Sequence, residues 1–110
     1  GMGGTEQVYF STFHYQMDGG IMVTASHNPK DYNGLKMVIK DSRPVYGETG
    51  LDSIKEMIAS GGCDNLPGMT GTEYQVDAVD SYIQHMLGYI DLKGLKPLKS
   101  VVNAGHGGQH

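Results

Sequence analysis

The sequence predicts an α/β layered fold. Segments with a helical period alternate with short apolar runs of strand length, the pattern of a sheet covered by helices. The 17 glycines among 110 residues are about twice the usual share. They gather at GMGG, DGG, YNG, YGETG, SGGC, PGMTG and NAGHGG, between the patterned segments, and so punctuate a folded chain. There are no internal repeats.

Taken in order, Thr5 is placed to cap a helix beginning at Glu6. Tyr9, Phe13 and Met17 lie at i, i+4 and i+8 on its expected buried face, and Asp18-Gly19-Gly20 ends it. GIMVT (20–24) is a continuous apolar run, which suits a strand buried on both faces. LKMVIK (35–40) is a second strand, with Leu35, Met37 and Ile39 on one side and Lys36, Val38 and Lys40 on the other. SRPVYGETG (42–50) turns the chain. Thr49 followed by Asp52 resembles a capping box, and Leu51, Ile54, Met57 and Ile58 give the next helix its apolar face. Residues 60–75 carry no period and read as a connection.

A longer helix is expected over 76–89, from the stripe Val76, Val79, Ile83, Met86, Leu87 and Ile90. DLKGLKP (91–97) reads as a linker, and LKSVVNAGHGG (98–108) as a strand running into a glycine loop. Such a loop normally feeds a helix, and so few strands make a poor sheet, so the expectation is a piece of a larger protein.

The formal net charge of -4 and pI near 5.6, with eight scattered basic residues, give no footprint for nucleic acid. No apolar run approaches the roughly 20 residues that span a bilayer, and no signal-peptide pattern opens the chain. Cys63 stands alone, which excludes a disulfide framework or thiolate cluster within the chain. A cytoplasmic protein is the expectation.

The candidate chemistry lies in TASHNPKDYNG (24–34). Ser26 and His27 fall just past the C-terminal end of the first strand, where open α/β sheets bind ligands. Two readings stand side by side. Ser, Asn, Pro, Asp and Gly are ordinary turn formers, and adjacent residues rarely act as nucleophile and base for each other. The hydrolase elbow Gly-x-Ser-x-Gly is absent, which leaves an unrelated serine hydrolase as a weaker reading. Lys36 lies ten residues beyond Ser26. Either it is a solvated strand-end lysine, or the loop folds back and brings its ammonium to the serine or a bound phosphate. His106 and His110, at i and i+4, sit in a glycine-rich segment unsuited to a helical metal pair. His14 and His85 read as surface or boundary residues. The glycine stretches match neither a Walker loop nor a dinucleotide fingerprint.

Thr24-Ala25-Ser26-His27-Asn28-Pro29, with Tyr32-Asn33-Gly34 and Lys36, resembles the phosphoserine signature of the α-D-phosphohexomutases, the phosphomannomutase/phosphoglucomutase family. GGTEQVYFSTF resembles the helix before the family's active strand. RPVYGETGL resembles the turn after it, and YIQHMLGYIDLKGLKPLKSVVNAGHG the passage from first to second domain. The bacterial phosphomannomutase branch is the nearest likeness. The resemblance covers nearly the whole chain, but about a quarter of a full enzyme of the family.

The resemblance implies a three-layer α/β/α fold with a mixed sheet, the incomplete first domain of a four-domain phosphohexomutase. Residues 1–90 would be partial domain 1, 91–98 a linker, and 99–110 the first strand and glycine loop of domain 2. It implies phosphoryl transfer between the C6 and C1 oxygens of a hexose phosphate (mannose or glucose), through a phosphoserine and a hexose 1,6-bisphosphate intermediate. By that likeness Ser26 carries the phosphate and, through it, offers one oxygen to Mg²⁺. His27 and Lys36 assist proton transfer, while Thr24, Asn28, Pro29, Tyr32, Asn33 and Gly34 shape the loop. Such transfer rests on positioning and charge neutralisation more than on covalent chemistry.

Four family segments are absent from the sequence: the Asp-Gly-Asp-x-Asp-Arg metal loop, the Gly-Glu-x-Ser-Gly-His sugar loop, the Ser/Thr-rich phosphate loop and the opening Tyr-Asp-x-Arg-Gly. Mg²⁺ prefers near-octahedral oxygen coordination that one phosphoserine oxygen does not supply, so negligible mutase activity is expected of this chain alone. The alternative is a non-catalytic oligomerising or binding module of the same fold. Either reading leaves a sheet edge and an apolar face exposed, from which self-association is expected.

Overall fold

The computed structural model describes residues 2–64, 68, 71–103 and 105. The first helix, α1 (Thr5–His14), starts one residue earlier than the sequence suggests. Gly4 occupies the N-cap and no side chain caps the helix, so Thr5 is its first residue and not its cap. The helix ends before the glycines. Gln16 takes a left-handed φ of 53°, its N–H donates to Phe13 O (3.2 Å), and Met17 N–H donates to Thr12 O (2.9 Å). That pair of bonds is a Schellman closure, and it leaves Gly19 free to open the following strand.

Three strands, β1 (Gly19–Val23), β2 (Leu35–Ile39) and β3 (Arg43–Pro44), form a sheet in the order β1-β2-β3. β1 and β2 pair antiparallel from Gly19↔Ile39 to Val23↔Leu35, and β2 pairs antiparallel with β3. No parallel pair occurs among the described residues, so the mixed character implied by the resemblance is not found in this sheet. The antiparallel partners follow each other in the chain, and a loop suffices where a parallel pair needs a crossover.

α1 lies on the sheet face that carries Gly20, Met22 and Val38. A Cβ at Gly20 would meet Thr12 Oγ1, and would come within 3.0 Å of Val8 Cγ1 and 3.2 Å of Val38 Cγ2. Glycine therefore lets the helix rest directly on the strand. Thr12 turns its hydroxyl back to Val8 O (2.8 Å), which satisfies its one polar group in a buried position. The buried residues of α1 are Phe10 and Thr12, whereas Phe13 is exposed. This corrects the expected Tyr9–Phe13–Met17 face at Phe13, whereas Tyr9 and Met17 are half-buried; the contact with Gly20 falls to Val8 and Thr12, small residues that an apolar count does not register.

The other sheet face carries Ile21, Val23, Leu35, Met37 and Ile39. Of these Met37 is half-buried and the rest are exposed, Ile21 by 61% and Leu35 by 59%. β1 is thus covered on one face only, not on both. In β2 the alternation is as read, but the core residue is Val38, on the lysine side. The turn after β2 places Asp41 and Ser42 at φ of 61° and 56°, and Ser42 Oγ donates to Tyr9 O, tying the turn to α1.

Val45 N–H donates to Met37 O (2.9 Å), extending the pairing of β2 with β3. Thr49 does not form the expected capping box with Asp52. Its hydroxyl accepts Tyr46 N–H (2.8 Å), and Gly50, at φ 142°, is the N-cap of α2 (Leu51–Ala59). Leu51, Ile54, Met57 and Ile58 share a stripe on α2 and all four are exposed. Gly61, at φ 71°, closes this helix through Gly62 N–H to Met57 O (2.9 Å) and Gly61 N–H to Ile58 O (3.2 Å).

α3 (Val79–Leu87) begins three residues later than expected, where Asp77 Oδ1 accepts Val79 N–H (3.0 Å). It meets α1 through rings and not through its apolar stripe. Phe10 lies 5.4 Å from the Tyr82 ring and 5.0 Å from the His85 ring, and stacks on His14 at 4.7 Å. Both histidines are exposed, within the expected surface or boundary placement. Val79, Ile83 and Met86 stay about half exposed. Beyond α3, Asp91 caps a single 3₁₀ turn at Leu92–Gly94. Residues 98–103 form no strand, and Val101 is 99% exposed, because no described strand lies beside them to pair with. His106, His110 and the end of the glycine loop fall outside the described residues. No described helix is long and apolar enough to cross a membrane.

Candidate functional site

The loop 24–34 joins β1 to β2 and is fixed at both ends by the ladder. Thr24 N–H donates to Gly34 O (2.9 Å), one rung beyond the last strand pair. Gly34 N–H is held by the Asn33 side-chain oxygen (2.9 Å), and a Cβ at Gly34 would stand 3.2 Å from Thr24 O. Asparagine followed by glycine therefore allows the two chains to close tightly at the neck of the loop.

Above the neck the chain makes two turns. Asn28 N–H donates to Ala25 O, and Tyr32 N–H to Pro29 O, each at 3.0 Å. Ser26 sits at the apex of the first with a left-handed φ of 55°, and its N–H donates to Thr24 Oγ1 (3.0 Å). Ser26 Oγ and His27 Nδ1 lie 3.3 Å apart, one donating to the other according to the imidazole tautomer.

Thr24, Ser26, His27 and Lys36 line one open cavity of about 760 Å³. Lys36 arrives from β2, where it pairs with Met22 and points to the α1 side of the sheet. The three expected chemical residues are thus brought together, Ser26 and His27 by the turn and Lys36 by the strand register. Asn28, Pro29, Tyr32, Asn33 and Gly34 build the loop without lining the cavity. The opposite wall is the start of α1, from Met2 through Gly3 and Gly4 to Thr5. Sequence reasoning missed this wall; the Gly-Gly pair before an uncapped helix was the available signal.

Chemically, the cavity offers a hydroxyl beside an imidazole, with an ammonium on the same floor. That set suits an anionic, oxygen-rich ligand such as a phosphate. It contains no carboxylate, and no group of three potential metal-ligating side chains occurs among the described residues. The described residues therefore do not by themselves fit a Mg²⁺ centre, which calls for several oxygen ligands.

A family model described as phosphoglucomutase/phosphomannomutase, alpha/beta/alpha domain I, matches residues 1–63. A phosphomannomutase of Salmonella typhimurium is 49% identical over 108 residues, covering 97% of this chain and 24% of that protein. A phosphomannomutase of Escherichia coli K12 is 46% identical over 111 residues, with the same coverage. A Xanthomonas campestris protein named for phosphohexose mutases is 48% identical over 110 residues, covering 98% of this chain and 24% of its own. The chain spans about a quarter of the length of these curated relatives.

Proposed function

The chain belongs to the phosphoglucomutase/phosphomannomutase family, and from that premise we propose that loop 24–34 is the phosphoryl-carrying loop of a hexose-phosphate mutase. The observation that carries the reading is the shared cavity of Ser26, His27 and Lys36. A phosphate on Ser26 Oγ is given to a sugar hydroxyl: the serine O–P bond breaks as the sugar O–P bond forms, the hydroxyl proton leaves to a nearby base, and the freed serine oxygen takes up a proton to become a hydroxyl. The resulting hexose 1,6-bisphosphate reorients, and its other phosphate returns to Ser26 by the same exchange in reverse. His27 is placed to hold the proton beside the serine oxygen, and the Lys36 ammonium to offset phosphate charge. Mannose or glucose phosphate is the proposed substrate class. Mg²⁺ would meet this chain at the phosphate on Ser26, with its other ligands supplied from outside the described residues.

The sheet is read as the middle layer of an α/β/α unit within a four-domain enzyme, with 1–90 in the first domain, 91–98 a linker and 99–110 opening the second. One placement supports a second helical layer. Val45 pairs with Met37 and so shares the bare sheet face, and a Cβ at Gly50 would lie 3.4 Å from Val45 Cγ1, so α2 starts on that side. A cytoplasmic setting fits the exposed single thiol of Cys63. The second reading, a binding or oligomerising module without catalysis, is favoured by the exposed apolar sheet face of Ile21, Val23, Leu35 and Ile39.

The test is phosphosite mapping after incubating the chain with hexose 1,6-bisphosphate and Mg²⁺. One phosphoryl group on Ser26, absent from Ser26→Ala, supports the carrier role. A phosphate that maps elsewhere, or persists in Ser26→Ala, counts against it. Turnover of mannose 1-phosphate or glucose 1-phosphate by the 110-residue chain is expected to be negligible. Measurable turnover would show that the chain needs no further groups.

A further inference from the structure

Ser26 holds a backbone conformation that residues with a Cβ seldom adopt, with φ at 55°. In the left-handed region the Cβ crowds the following carbonyl, so such a residue persists only where its surroundings over-determine it. The side-chain group that restrains the Ser26 backbone is the Thr24 hydroxyl, which accepts the Ser26 N–H at 3.0 Å. Thr24 is itself anchored, because its own N–H continues the β1–β2 ladder to Gly34 O at 2.9 Å. A rigid rung is therefore linked to the serine through one oxygen atom.

We propose that Thr24 is a positioning residue for Ser26: its hydroxyl oxygen holds the serine backbone in the left-handed state and thereby aims Oγ at His27 and the cavity. The assignment rests on the reading of Ser26 as phosphoryl carrier for its functional meaning. The oxygen matters here and not the bulk, since a hydroxyl accepts a hydrogen bond and an isosteric methyl does not. A second consequence concerns charge. The Ser26 N–H is engaged by Thr24 and is not free to bind a phosphate on its own Oγ. Lys36 and His27 line the same cavity and are among the groups of this chain that can meet that phosphate.

The experiment uses the ¹⁵N-labelled full chain and measures amide hydrogen exchange together with φ-sensitive couplings at Ser26. In the unsubstituted chain the Ser26 amide is expected to exchange about fivefold slower than that of His27, for which no bond is found among the described residues. Equal exchange would overturn the proposal without any substitution. Thr24→Val is expected to remove that protection and the left-handed coupling signature, and Thr24→Ser to restore both, while the amides of Ile21 and Val38 keep their protection in all three chains. A left-handed, protected Ser26 in Thr24→Val, or a Thr24→Ser that restores neither, would overturn it. Phosphosite mapping with hexose 1,6-bisphosphate runs in parallel. If Ser26 never takes a phosphate, the carrier reading fails while the conformational measurements still decide the role of Thr24.

Discussion

Ser26 illustrates how one residue can be set against its own backbone preference. A non-glycine residue in the left-handed region pays roughly 1–2 kcal/mol in crowding, and the site is exposed, so little packing offsets it. Glycine would relieve that crowding while losing more entropy on folding, a penalty of about 0.5–1 kcal/mol. Ser26→Gly is therefore expected to leave the chain more stable by about 0.5 kcal/mol in urea denaturation, and to abolish any phosphate at this position. A clear loss of stability would show that the serine side chain contributes packing or bonding beyond the 3.3 Å contact to His27. Residues that improve stability when removed mark places where a chain has been shaped for something other than folding.

At the scale of elements, the seat of α1 on β1 depends on the absence of a side chain at Gly20. A Cβ there would press on Val8, Val38 and the Thr12 hydroxyl, and the last is not free to swing aside because it is bonded to Val8 O. Gly20→Ala is expected to destabilise the chain by about 2 kcal/mol, read as a lower urea midpoint at unchanged slope. Phe10 is the second seat. Its replacement by alanine removes the ring that Tyr82, His85 and His14 share, so faster amide exchange across residues 79–87 is expected while the β1–β2 ladder stays protected.

These contacts also explain what could be read from the sequence. Loop 24–34 between two strands was legible, because turn formers between apolar runs are a local signal and β alternation assigns Lys36 a side. The helix faces were not. Val8 and Thr12 pack by being small, Phe10 packs on rings three residues apart on another helix, and neither pairing has a period in the chain. The start of α1 escaped for a similar reason: a cavity wall made of Gly3, Gly4 and Thr5 exists only once the helix lies across the end of β1.

For the whole molecule, surface area is the telling quantity. A compact chain of 11.9 kDa exposes about 5,900 Å² by the scaling of surface with mass, and this one exposes 10003 Å². Its radius of gyration is 18.2 Å, against roughly 13 Å for a compact domain of this length. Part of the excess comes from stretches without regular structure, such as 71–78 and 95–103. The rest is organised. Among the described residues, Ile21, Val23, Leu35 and Ile39 form a continuous apolar sheet face, the α2 stripe lies bare, and β1 has a free edge. Exposed apolar faces of this kind seek cover. The chain is therefore expected to self-associate, with a sedimentation coefficient that rises with concentration. Replacing Ile21 and Ile39 by lysine places charge on the bare face without touching the Phe10–Val38 core, and should shift the population towards monomer. A monomer at high concentration without those substitutions would mean that the sheet face is covered within the chain itself, and α2, which starts on that side, would then be the element to look for there.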